Sequence, residues 1–379
     1  MAKVKLDKDN RLKIKSPMDM PFLMLVMLVM SIGLIMMFSA SYASAYYQTG
    51  DSSHWFVRQA TFAAIGVVVM LIISRMDYQY FRALSIPSLI VAVIFLILVL
   101  FIGRKVNGAR RWIYIGEVFN FQPSEIAKIA VILSFSTMIS AFGEKMKKFK
   151  YGILPFVSIL AVISFLMYLE PHISGLILIV AVGGVLMFAG GVHWGWFAAL
   201  GAAALPVGYF VINSMAHSSA RLKIWLDPWS DPLKDGYQTI QSLYAIGSGG
   251  LLGVGLGKSR QKHLYVPEPQ NDFVFAIVCE ELGFIGACLV LCLFALLILR
   301  GYWIAINARD RFGSLLVTGI VTLFAIQTFL NVAVVTNLIP VTGISLPFFS
   351  YGGTSLVIQL AEMGIVLAVS RQIPAAKAG

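Results

Sequence analysis

Ten apolar runs of near-bilayer length follow one another along the chain, joined by short polar connections and one long one. They cover 21–47, 57–74, 83–103, 124–142, 152–169, 174–190, 195–213, 272–299, 313–336 and 354–371. A hydrocarbon core is crossed by about 20 helical residues, so each run reads as a transmembrane helix. The pattern predicts an all-α polytopic membrane protein of about ten helices, with one long extracytoplasmic loop, 214–271, between the seventh and eighth. A basic arm, 1–20, carries Lys3, Lys5, Lys8, Arg11, Lys13 and Lys15 and holds the N-terminus in the cytoplasm. Ala43-Ser44-Ala45 imitates a signal cleavage site, but the apolar core Phe22–Phe38 is longer than a signal h-region and more spans follow, so the first helix reads as uncleaved. The transmembrane unit runs over 21–371 and a cytoplasmic tail over 372–379.

An even number of spans returns the C-terminus to the cytoplasm, and the charges agree. The inward connections carry Arg75 and Arg82, then Lys145, Lys147, Lys148 and Lys150, then Arg300, Arg309 and Arg311, then Arg371 and Lys377, leaving only the tight Gly191–Trp194 turn without a basic residue.

Composition narrows the class further. The chain is 59% hydrophobic and 12% charged, against roughly 25% charged in soluble domains, so lipid is its solvent and no second globular domain fits. Its net charge of +11 is explained by topology, which removes nucleic acid as the default partner. Two outer segments break the charge rule. Loop 104–123 carries Arg104, Lys105, Arg110 and Arg111, and loop 214–271 carries Arg221, Lys223, Lys234, Lys258, Arg260 and Lys262. They are either an ordinary solvated surface or the seat of an anionic ligand on the outer face. Cys279, Cys288 and Cys292 share one apolar stretch and read as packing residues, and the five histidines show no metal-binding spacing.

Charges inside apolar runs are costly and mark candidate chemistry. Glu125 and Lys128 sit three apart after Phe121-Gln122-Pro123-Ser124, where Ser124 is positioned to cap a helix behind the proline. Asp272 stands at the outer mouth of the eighth run, where a carboxylate meets both water and lipid; a helix cap or a chemical role fits it. Glu280 and Glu281 lie two turns deeper and Glu362 lies in the last run, and Lys128 is the cation expected to offset one of these acids across the bundle. The glycine-rich Gly247–Ser259 misses phosphate-loop spacing, because Leu252 stands where the first glycine belongs; it reads as a flexible or re-entrant segment packed on protein. Ile339–Gly353, broken by two prolines and three glycines, reads as a cavity wall beside Asp272.

These motifs carry a resemblance. Asn107-Gly108-Ala109-Arg110-Arg111-Trp112-Ile113, then Phe121–Glu125 with Lys128, Gly236-Tyr237-Gln238 through Gln241-Ser242, Gly253–Gly257, the run from Pro267 through Asp272 to Gly286, and the run from Ile339 to Ser355 resemble, in order and over essentially the whole chain, the SEDS family of FtsW, RodA and SpoVE. Asp227–Pro232 and Ser259–Lys262 look more like the FtsW and SpoVE branch. The resemblance implies a peptidoglycan glycosyltransferase of the inner (cytoplasmic) membrane that polymerises lipid II at the outer face, partnered by a class B penicillin-binding transpeptidase and other division or elongation proteins. It assigns the family's essential acid to Asp272 and substrate contacts to Arg111, Glu125 and Lys128; Arg110, Lys258, Arg260, Lys262 and Ser350 join the expected substrate-binding set. A divalent metal, Mg or Mn, is compatible with that chemistry, and no cofactor is assigned. Where family members often show Gln-Pro-Asp-x-Gly-Thr, this chain has Glu170-Pro171-His172-Ile173-Ser174-Gly175, so His172 stands in place of the family's acid. Two other classes remain open from the residues alone, a lipid flippase or transporter and a division-complex scaffold.

Overall fold

The computed structural model describes residues 3–6, 12–15, 17–106, 109–115, 119–202, 216–234 and 236–373. Its long helices are α1 (Met20–Thr49), α2 (His54–Ile73), α3 (Ser85–Ile102), α4 (Pro123–Phe142), α5 (Leu154–Leu169), α6 (Ile173–Ala189), α7 (Ala216–Leu226), α8 (Tyr237–Gly249), α9 (Val274–Asn307), α10 (Arg311–Val335) and α11 (Gly353–Ser370). Among the described residues, eight helices are long and apolar enough to cross a membrane, and α6 is a shorter apolar helix. The run expected at 195–213 is helical over 194–202, and its remainder lies outside the described residues, as do 374–379 of the expected tail, part of the basic arm, and Asn107 and Gly108.

Strands are few. In the arm, β1 (Lys3–Leu6) pairs antiparallel with β2 (Leu12–Lys15), and the first outer loop folds β3 (Arg104–Val106), β4 (Ala109–Ile115) and β5 (Phe119–Phe121) into a small antiparallel sheet. Loop 104–123 is therefore a built platform rather than an open connection.

Helices α10 and α11 are mostly buried, whereas α2 and α3 turn Ile65, Val68, Ile72, Ile86, Ile90 and Ile94 outward, as lipid-facing helices must. Small residues let helices close on one another: a Cβ on Gly364 of α11 would fall 2.7 Å from the Met70 carbonyl oxygen of α2. On the inner side Asp19 caps α1 by accepting from the Phe22 N–H at 2.9 Å and pairs with Arg300 of α9 at 2.8 Å. Asp310 caps α10 and also accepts from Tyr78 at 2.8 Å.

The feature that shapes the outer half is a break in α9 at Gly283, whose φ of 67° and ψ of −171° interrupt the helix. The glycine-rich return after α8 fills the break. Gly253 and Gly283 approach so closely that a Cβ on either would collide with the other strand's backbone. Amides freed at the break find carbonyls on the return, Phe284 to Gly250 at 2.8 Å and Ile285 to Leu251 at 3.1 Å, while Val254 and Gly255 donate to Glu280 and Glu281, each at 3.0 Å. Irregular backbone at this depth is tolerated because protein satisfies it. The segment Tyr237–Lys262 is thus packed on protein and lies along the first nine residues of α9, which rise about 12 Å.

Candidate active site

Asp272 precedes α9 on the outer side. The helix begins at Val274 with Phe273 at the cap position and no side-chain cap, so the capping role open to Asp272 from sequence is not the one it takes. Its backbone is pinned instead: Asn331 of α10 donates 2.7 Å bonds to both the Asp272 and Ile344 carbonyls, tying the acid to the broken stretch before α11. Asp272 Oδ2 lies 3.7 Å from where a Cβ on Gly343 would sit, so Ile339–Gly353 is beside Asp272 as expected, with glycine keeping the carboxylate uncrowded. Burial raises the Asp272 carboxyl to about 6; its own backbone N–H pulls it down, Glu268 pushes it up, and Arg221 pulls it back.

A second group of residues meets around the turn 170–175. Arg111 of β4 donates from Nη2 to the Pro171 carbonyl, and Ser174 Oγ donates to the Thr342 carbonyl of the broken stretch. His172 is buried against the Gln122 amide at 3.3 Å, and burial, Arg111 and Lys128 together hold its pKa down at about 3, so it is neutral. Arg221 of α7 donates to the Val341 carbonyl at 3.2 Å and lies close enough to Arg111 for the two guanidiniums to repel. Arg221 thus stands within electrostatic reach of both Asp272 and Arg111.

The remaining expected residues separate. Arg110 is exposed and donates to the Leu100 carbonyl at 2.8 Å; Lys258 and Arg260 are also exposed. Lys262 does not belong with them: it is buried and ion-paired with Glu281 at 3.0 Å, also donating to Ser39 and the Gly257 carbonyl, which withdraws it from any ligand. Ser350 is corrected likewise, since its buried hydroxyl accepts the Leu346 N–H at 2.7 Å inside its own turn. Ser124 does not cap α4; Pro123 is the first helical residue, Gln122 takes the cap position, and the Ser124 hydroxyl has no partner among the described residues. Lys128 pairs within its own helix with Glu125 at 2.8 Å, and Ser355 of α11 donates to Glu125 at 3.3 Å. Of the acids considered for Lys128, Glu362 lies within its electrostatic reach. Glu280 instead receives the Ser259 hydroxyl and the Arg260 and Gln261 amides.

Sequence reasoning missed Glu170 and gave Arg221 no individual role. The signal for Glu170 was present, an acid at the end of an apolar run before a proline, but only folding reveals Arg111 against it. Among the described residues no three His, Cys, Asp or Glu side chains gather as a metal site.

The model of the FtsW/RodA/SpoVE family, described as cell cycle protein, matches residues 19–374. The chain is 42% identical to stage V sporulation protein E of Bacillus subtilis over 94% of this chain and 98% of that one. It is 37% identical to the probable peptidoglycan glycosyltransferase FtsW of Geobacter sulfurreducens over 94% and 96%. Its fold is similar to a chain of a peptidoglycan synthase complex solved for how polymerization and crosslinking are coordinated, with TM-score 0.79 and 28% identity over 94% and 99%. It is also similar to the rod shape determining protein RodA of Thermus thermophilus, with TM-score 0.69 and 26% identity over 94% and 97%. With a family model spanning nearly the whole sequence and relatives matched end to end, the chain belongs to the FtsW/RodA/SpoVE family.

Proposed function

We propose that this chain is a peptidoglycan glycosyltransferase that polymerises lipid II at the outer face of the cytoplasmic membrane, serving division or sporulation. The observation that carries the reading is Asp272, a carboxylate at the mouth of a broken helix, with Arg221 within electrostatic reach of it and Arg111 close to Arg221. Chain growth needs a sugar hydroxyl to attack the anomeric carbon of a diphosphate-linked sugar. The new C–O bond forms as the bond to the diphosphate breaks, with inversion, and the diphosphate lipid leaves with the electron pair. Asp272 takes the hydroxyl proton, a role worth roughly 10² to 10⁴ in rate. Arg111 and Arg221 receive the leaving anion. The likeness to a chain of a peptidoglycan synthase complex supports a crosslinking partner, of the class B penicillin-binding transpeptidase kind.

The test is to give purified protein labelled lipid II, with and without the candidate transpeptidase, and to resolve glycan on a gel for wild type and Asp272→Ala. Long polymer from wild type alone is expected. Equal polymer from the variant would remove Asp272 as the base. Lipid movement across the bilayer without any new glycosidic bond would favour a flippase, and a silent Asp272→Ala in cells would favour a scaffold.

A further inference from the structure

Behind Arg111 sits a group that the reaction as written does not use. Glu170 is 0% exposed, directly follows α5, and has neither carboxyl oxygen hydrogen-bonded among the described residues. Its neighbour is Arg111, whose Nη2 is fixed on the next residue's carbonyl while its buried Nε has no partner. Most buried polar groups are satisfied, so a carboxyl and a guanidinium edge within electrostatic reach of each other and both unsatisfied are an unused pair. The surroundings add no competitor. From β4 comes Arg111; from α7 comes Arg221, which repels it; on the same turn His172 is neutral; and Lys128 of α4 faces His172 rather than Glu170.

We propose that Glu170 is a positioning residue for the diphosphate end of the donor: protonated, it leaves the Arg111 guanidinium to the anionic ligand, and ionised, it draws that guanidinium to itself. The inference rests on the glycosyltransferase reading of this site. Arg111 then has two anionic claimants, one built in and one arriving with the substrate, while Arg221 disfavours any state in which neither is present. When Glu170 is ionised, binding the ligand takes up one proton onto its carboxyl, and departure of the diphosphate lipid releases it. Burial raises the Glu170 carboxyl to about 8, with Arg111 pulling it down, so the exchange falls between pH 7 and 9. The lipid II diphosphate is a diester and does not titrate in that window; His172 has lost its proton well below it.

The experiment measures lipid II binding to the full-length protein in nanodiscs at pH 7, 8 and 9, for wild type and Glu170→Gln, with proton uptake read by calorimetry in buffers of different ionisation heat. Wild type is expected to weaken about tenfold from pH 7 to 9, the ratio for a site whose competent form has a midpoint near 8, with proton uptake approaching one per ligand at pH 9. Glu170→Gln is expected to bind with the same affinity at all three pH values and take up no proton. A wild-type affinity that is flat with pH, or a loss shared equally by the variant, would overturn the proposal while leaving the functional reading in place. Proton uptake by wild type is read without reference to the variant, so a Glu170→Gln protein that folds poorly does not spare the idea. No binding of lipid II by wild type at any pH would instead overturn the functional reading, and this inference with it.

Discussion

Asp272 is the clearest case of a residue whose role follows from where the fold sets it. Its carboxyl is raised to about 6 chiefly because burial penalises the charged form. A general base works ionised, so kcat/KM is expected to fall about tenfold per unit below pH 6, to be level between about pH 6 and 7, and to decline above that as Glu170 ionises. A pH profile from 5 to 8 that shows no acid limb would remove Asp272 from that role. From the residue alone a helix cap fitted as well as a chemical role, and it was the resemblance of the surrounding motif that singled Asp272 out. Glu170 and Arg221 were less legible: each is an ordinary charge at an ordinary loop edge until β4 and α7 bring Arg111 and Arg221 onto the 170–175 turn and the broken stretch.

Among the elements, the decisive one is the glycine-rich segment running from α8 to Lys262, which turns α9 into a broken helix. Its anchor is the buried pair of Lys262 with Glu281, joined by Ser39 of α1, which accepts from Lys262 and donates to Glu281 at 2.7 Å. Removing one partner strands the other charge in a dry environment. Lys262→Met is therefore expected to cost about 3–5 kcal/mol, and adding Glu281→Gln should recover much of that loss, because the stranded carboxylate is then neutral. Thermal unfolding in detergent of the two variants beside wild type reads this directly. An unchanged melting temperature for Lys262→Met would show that the pair does not hold the loop. The glycines of the return announced unusual backbone in the sequence, and the failed phosphate-loop spacing excluded one explanation. That the return completes the hydrogen bonds of a helix some 30 residues later is a long-range pairing that no local pattern encodes.

For the whole molecule, the basic inward connections and the charged outer segments give a topology that can be tested in cells. In a chain freed of Cys279, Cys288 and Cys292, a cysteine at exposed Lys145 should be blocked by a membrane-impermeant thiol reagent only after the membrane is opened, and one at exposed Lys258 in unbroken spheroplasts. The reverse pattern would turn the site to the cytoplasm and end the outer-face assignment. The apolar spans, the acid at 272 and the break before α11 were legible in the sequence itself, and its charge bias set the expected side of each loop. They depend on hydropathy, charge bias and backbone chemistry, which act over one or two turns of chain. Only the tertiary structure decided which charges meet. It withdrew Lys262 and Ser350 into internal bonds, kept Lys128 with Glu125, set Arg111 between Glu170 and Arg221, and tied Asp272 to the Ile339–Gly353 stretch. The physical reason is that a charge removed from water must find its partner wherever packing puts one, and that partner comes from a distant part of the chain as readily as from the next turn.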